Sequence, residues 1–106
     1  MKMKKIRFNE WDCRLRFNRY TGNDRLAILL VTEDGEPLLT ATVNVPCYPL
    51  EDDEVMIKSF AENDGVLECL TDAGVIAPTG KTLEVGHAIA HVCRFLMLDE
   101  MKASMH

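Results

Sequence analysis

No stretch of this chain stays apolar for long. The longest uninterrupted runs, residues 26–31 and 95–98, fall far short of the roughly 20 residues that a membrane-spanning helix needs. No apolar segment follows the basic residues Lys2, Lys4 and Lys5, so a secretory leader is not expected and the cytoplasm is the expected setting. The four cysteines, Cys13, Cys47, Cys69 and Cys93, form no C-x-x-C pair. In a reducing compartment they read as small buried hydrophobes, with a zinc site or disulfides as the alternative. No glycine precedes Gly80-Lys81-Thr82 at the spacing of a phosphate-binding loop, so that tripeptide reads as part of a turn. Ala88 stands where a zinc-protease helix would carry its glutamate, which leaves His87 and His91 without the general base of that motif. His91 with Cys93, two residues apart on a strand, is the remaining metal pair to consider. Cys93 beside Arg94 is the remaining candidate for an activated thiolate, and no nucleophile elbow accompanies it. These absences leave no catalytic residue, cofactor or metal ligand to nominate, and the expectation is a protein that is not an enzyme.

What is present is an ordinary globular composition, 47% hydrophobic and 27% charged. A chain of 106 residues supports one core, so residues 1–106 are expected to form a single small domain. Net charge is −5 but unevenly spread: residues 1–25 hold eight Lys/Arg against three Asp/Glu, and residues 26–106 hold four against fourteen. Such polarity either steers a partner or reflects solvated faces.

Alternation organises the first half. Ile6 and Phe8 mark a short strand at residues 4–9, and Trp11, Cys13, Leu15 and Phe17 then alternate with Asp12, Arg14, Arg16 and Asn18. Residues 21–24 are a turn, and residues 25–32, almost wholly Leu, Ile and Val, suit a central strand covered on both faces. Asp34-Gly35 is a two-residue hairpin signal, and residues 38–45 alternate again until Pro46. Two-residue loops at Gly22-Asn23 and Asp34-Gly35 set Phe17 opposite Ile28, Leu15 opposite Leu30, Leu30 opposite Leu39, Ile28 opposite Ala41 and Leu26 opposite Val43. Both hairpins thereby put the same residues of the shared strand on one apolar face; Glu33 facing Glu36 is a small like-charge cost. The other face carries Arg14, Arg16, Thr40, Thr42 and Asn44 among Ala27, Leu29 and Val31, and is either covered by a terminal segment or used for binding.

After the rigid connection Pro46-Cys47-Tyr48-Pro49, four acids follow in a row, Glu51, Asp52, Asp53 and Glu54. They read as a solvated loop or as a docking patch for a basic partner. Residues 55–60 form a short strand, and residues 63–73 a helix with Asn63 and Asp64 as N-terminal caps. Val66, Cys69, Leu70 and Ala73 make its buried stripe, and Gly74 with Val75 closes it by a Schellman motif. Glu68 and Asp72 lie four apart on its solvent side, so with the acidic loop, Glu62 and Asp64 they outline a nucleic-acid-like surface or simple solvation. Residues 75–77 continue extended into a turn at Pro78-Thr79-Gly80. Residues 82–95 stay open between a strand, with Leu83, Val85, Ile89, Cys93 and Phe95 on one face beside both histidines, and a helix with a Val85, Ile89, Val92, Leu96 stripe.

The stretches IKSFAENDG at 57–65, LTDAGVIAPTGKT at 70–82 and HVCRF at 91–95 carry a resemblance. Lys58, Phe60, Glu62, Asn63, Asp64, Gly65, Gly74, Val75, Ile76, Val92, Cys93 and Arg94 match the pattern of a small uncharacterised bacterial family, a domain of unknown function encoded by phages, conjugative elements and gut bacteria. The resemblance covers the last half of the chain. It implies no activity, favours a strand over residues 84–95, and implies a mobile-element setting in which small acidic proteins bind and block host proteins.

The expected fold is α+β: an antiparallel sheet of about five or six strands, begun by a hairpin meander, with one helix at 63–73 packed on one face. The leading functional expectation is a cytosolic protein-interaction or modulator protein, contacting its partner through Glu51, Asp52, Asp53, Glu54, Glu68 and Asp72 or through the Arg14/Arg16 face. The competing one is a nucleic-acid-binding regulator, using Lys2, Lys4, Lys5, Arg7, Arg14, Arg16 and Arg19 with Trp11, Phe17 and Tyr20 interleaved. Membrane is not an expected partner. Met97, Met101 and Met105 dock either on their own core or on another subunit, which keeps a homo-oligomer open.

Overall fold

A computed structural model describes residues 5–99; Lys2, Lys4, Met101 and Met105 lie outside the described residues, as does the side chain of Glu62. The order of elements is β1 (Lys5–Phe8), β2 (Trp11–Arg19), β3 (Leu26–Thr32), β4 (Pro37–Thr40), β5 (Glu54–Lys58), a 3-10 turn (Ala61–Asn63), α1 (Val66–Asp72), β6 (Ile76–Val85) and β7 (Ala88–Phe95). The α+β class is as expected, but the strands number seven and divide between two antiparallel sheets, β1-β2-β3-β4 and β5-β7-β6. Among the described residues no helix is long and apolar enough to cross a membrane.

The N-terminal meander follows the period-2 pattern. Phe17 faces Ile28, Leu15 faces Leu30, and Leu30 faces Leu39. The loops that set this register are not the expected ones. The first is four residues wide, closed by Tyr20 and Arg25, and keeps the same centre of pairing as a two-residue loop. The second closes from Thr32 to Glu36 over three residues, with Gly35 at φ +88°, a conformation that favours glycine. A register shift between Leu30 and Val31 absorbs the extra residue, so the pairing beyond it is unchanged and Glu33 does not face Glu36 across a two-residue turn.

Val43 does not pair with Leu26. The chain leaves β3 after Ala41, whose N–H donates to Ile28 O at 2.8 Å, and crosses to the second sheet. Thr42 bridges Ile57, and Val43 N–H donates to Met56 O at 3.0 Å. The buried Thr42 hydroxyl accepts the Ile28 N–H at 3.3 Å, replacing the ladder bond that the crossing removes. The two sheets share one core, with Leu15, Ile28 and Leu30 from the first and Val55, Ile57, Ile76 and Phe95 from the second. Phe17 and Phe95 meet edge to face across it, ring centroids 5.4 Å apart. Met97 is buried in the same core. Trp11 departs from the expected burial: it begins β2 opposite Phe8 at a hairpin tip and is 54% exposed.

The helix is shorter than residues 63–73 and is not capped by Asn63 or Asp64. Gly65, which precedes its first residue, has no side chain to cap it; the Leu67 N–H donates to Ser59 Oγ at 3.2 Å, and Asn63 instead ends the 3-10 turn. Asn63 is wholly buried and donates its amide to Thr40 O at 2.8 Å, tying the end of β4 to the helix approach. The other end is as expected. Gly74 has φ +77°, its N–H reaches Thr71 O at 3.1 Å, and Val75 N–H reaches Leu70 O at 3.0 Å, the paired bonds of a Schellman motif. Val66 and Leu70 face the core, and α1 packs on β1 of one sheet and on β5 and β6 of the other.

Residues 82–95 are strand, but as a hairpin rather than one run. Gly86-His87 reverses the chain, so Val85 pairs with Ala88, and Leu83 and Val85 share a face with Ala90 and Val92, not with Cys93 and Phe95. Pro78-Thr79-Gly80 is no chain reversal: it lies within β6 at a register shift between Pro78 and Thr82.

Candidate functional site

One face of the first sheet is on the core and the other is outward. The outward face holds Lys5 opposite Arg14, Arg14 opposite Val31, and Arg16 opposite Leu29, which in turn faces Thr40. Arg7 pairs with Asp12 at 3.1 Å and Lys5 with Glu33 at 3.7 Å. Arg16 reaches Gly35 O at 3.4 Å, and the partly buried Arg14 has an Nε atom with no hydrogen-bond partner. Among the described residues neither arginine has a carboxylate partner. Ala27 and Val31 are buried although they point outward, and Leu29 is half-buried. Long arginine stems can cover such positions while their heads meet water.

The acidic loop is differently committed. Glu54 is buried, accepting the Glu51 N–H at 3.0 Å and the Lys81 ammonium at 3.1 Å. The Glu51 N–H chiefly holds its carboxyl below the ordinary 4.5, helped by Lys81 and Arg94 against the cost of burial. Asp53 accepts from Arg94 at 2.6 Å, and its own carbonyl takes the Phe95 N–H. Glu51 and Asp52 stay exposed. All four acids border a cleft of about 450 Å³, with Arg19, Asp24 and Arg25 on its rim and Leu26, Val55 and Phe95 among its apolar lining. Glu68 and Asp72 are exposed on α1 but do not join that cleft; Asp72 borders a separate shallow recess with Lys5 and Arg7. Of the eight nominated residues, the structure therefore groups Arg14 with Arg16 and Glu51 through Glu54 with one another, and keeps the helix acids apart from the acidic loop.

The outward face of the second sheet is covered. Met56, Ala90 and Val92 form a small buried floor, over which Val43, Val45, Tyr48 and Leu50 pack with Leu83 and Val85. Arg25 pins this strap, donating to Val45 O at 2.8 Å and also to Tyr48 O. A lone arginine at the head of an apolar strand gives no sequence signal for that role, and neither does the buried Asn63.

Among the described residues no three or more His, Cys, Asp or Glu are grouped to hold a metal ion, and all four cysteines are free. Burial pushes the Cys13 and Cys69 thiols up and Cys93 up to about 12, which makes Cys93 a poor nucleophile despite Arg94 next to it in sequence. For the nucleic-acid reading, Phe17 is buried and the Tyr20 hydroxyl is bonded to Thr42, leaving Trp11 as the exposed aromatic of the three. Compared with protein-family models, curated proteins and solved structures, the chain matches none of them.

Proposed function

We propose that the protein is a non-catalytic, cytosolic interaction module that docks an acidic surface of a partner protein on the outward face of its first sheet. The observation that carries this is the pair Arg14 and Arg16, which among the described residues lie without carboxylate partners, opposite Val31 and Leu29 of the partly apolar strand β3. Arginine on apolar ground is typical of interface centres, where its planar head pairs with carboxylates and its stem packs. A plain solvated sheet face would carry polar residues at Ala27, Leu29 and Val31 instead. In the mobile-element setting that the family resemblance implies, the partner is a host protein and the module an accessory or modulator.

The test is capture from the native host by the wild-type chain and by an Arg14→Glu/Arg16→Glu variant, followed by reconstitution with the purified partner. A stoichiometric protein lost with the charge reversal, and rebinding when purified, supports the reading. A captured protein indifferent to both substitutions sinks it. Nucleic acid retained at moderate salt replaces it with the regulator reading, because phosphates are the other acid that such a face attracts.

A further inference from the structure

We propose that the cleft between the two sheets binds a small organic cation, an ammonium or guanidinium group carried on an apolar body. This is separate from the docking role of the first sheet and does not rest on it. The cleft opens at one end of the shared core, where Arg19 ends β2, Leu26 begins β3, Glu54 begins β5 and Phe95 ends β7. Its volume of about 450 Å³ falls within the roughly 300–1,000 Å³ of small-molecule sites. Val55 and Phe95, both residues of the main core, and the half-buried Leu26 give the ligand body an apolar floor. Displacing water from that floor favours binding.

The rim decides the sign of the ligand. The carboxylates of Asp24 and of residues 51–54 line the cleft, against the guanidiniums of Arg19 and Arg25. Glu54 and Asp53 are balanced by Lys81 and Arg94, which leaves Asp24, Glu51 and Asp52 facing the two arginines. Exposed Asp99, next in sequence to the lining residue Leu98, adds a further negative charge. Both arginines turn donors to backbone oxygens, Arg19 to Asp24 O at 3.0 Å and Arg25 to Val45 O and Tyr48 O. Among the described residues the carboxylates of Asp24, Glu51 and Asp52 have no ion-pair partner. An anionic ligand would meet arginines already engaged and acids that repel it. An ammonium meets unpaired acids at the rim while its apolar body covers the floor, where partial exclusion of water strengthens the attraction.

Probes that share one apolar body read this selection: tryptamine as cation, tryptophol as neutral alcohol and indole-3-acetate as anion, each titrated into the full chain with amide NMR shifts as the readout. Tryptamine should saturate below about 10 mM and bind at least about fivefold more tightly than tryptophol, with indole-3-acetate weaker than both. Its shifts should fall on residues 23–26, 50–55 and 95–98, which border the cleft. Raising salt from about 0.05 M to about 0.5 M should weaken tryptamine and leave tryptophol unchanged. Glu51→Gln/Asp52→Asn keeps the backbone N–H of residue 51 that Glu54 accepts, and should weaken tryptamine about threefold or more. Glu68→Gln/Asp72→Asn removes the same charge from α1, outside the cleft, and should weaken it less than about twofold. No saturation by tryptamine overturns the proposal. So does an anion that binds as tightly as the amine, a set of shifts away from the cleft, or equal weakening by the two double variants.

Discussion

The outward faces of the two sheets solve the same problem in different ways. On the first, apolar residues of β3 stand opposite arginines of β2; on the second, apolar residues of β5 and β7 are roofed by a strap of backbone carrying its own apolar residues. A strap adds buried area and is fixed by hydrogen bonds, whereas arginine stems cover area while leaving charge at the surface. One face is thus a second small core and the other a charged surface, and the difference comes from where the chain crosses. Because residues 41–43 move from β3 to β5, residues 43–50 pass over the second sheet and not over the first.

Truncation tests this contrast with the largest expected effect. Met56→Ala empties the floor beneath the strap and should cost about 2–5 kcal/mol in urea unfolding. Leu29→Ala, half-buried on the arginine-covered face, should cost less than about 1.5 kcal/mol, in proportion to the smaller area that it removes from solvent. Equal losses at the two sites would erase the distinction between a roofed and an open face.

The strap's attachment comes next. Arg25 donates to two strap carbonyls, Val45 O and Tyr48 O, from a partly buried position. Arg25→Ala should cost about 1.5–3 kcal/mol, the range for hydrogen bonds to a charged group. It should also speed hydrogen exchange at residues 45–50 well before the β2–β3 ladder exchanges. A uniform change across both sheets would mean that the strap and the main core open together.

The sequence told these faces apart only in part. Period-2 alternation placed Cys13, Leu15, Phe17, Ile28 and Leu30 inward, because one-residue slips are costly when a face is buried. Arg14 and Arg16 were legible for the same reason. The crossing after Ala41 was not, since residues 38–45 keep their alternation while changing partners, and nothing local distinguishes Thr42 as the residue whose hydroxyl replaces a ladder bond. Asp53 and Glu54 read as free acids because Arg94 and Lys81, 41 and 27 residues away, reach them only in the folded sheet. The helix end was readable from Gly74, but its start was not, because Asn63 turns inward to Thr40 instead of capping. Composition left residues 82–95 between helix and strand, and tertiary pairing with β5 and β6 decides for strand.

Acid should find the second sheet's weak point. The Glu54 carboxyl is held below its ordinary 4.5 by the folded structure. Its contribution to stability is therefore complete above 4.5 and is lost as the pH falls through the lowered folded value. Glu54→Gln should flatten the loss of stability on the acid side while leaving the neutral-to-alkaline range parallel to the parent chain. Denaturant midpoints measured from neutral pH down into that acid window read the difference. An unchanged acid slope would show that Glu54 is no better stabilised when folded than when unfolded, and that the Lys81 pair contributes nothing across this pH range.

The smallest stability effect should accompany the largest functional one. Arg16 is exposed, and the hydrogen bond of its side chain to Gly35 O, at 3.4 Å, is long. Arg16→Ala should therefore shift unfolding by no more than about 0.5 kcal/mol, the usual range for a surface substitution. Leu29 stands directly opposite, and a long arginine stem shields a strand neighbour from water better than alanine does, which keeps the expected change slightly destabilising and not neutral. If the open face exists to meet an acidic partner, the same substitution should weaken partner binding by far more than it weakens the fold, and chiefly when combined with loss of Arg14. A stability cost above about 2 kcal/mol would instead make Arg16 part of a cover as essential as the strap, because only a group that excludes water from β3 can be worth that much. Calorimetric binding and urea unfolding of the same variant, read side by side, separate an arginine kept for a partner from one kept for the sheet.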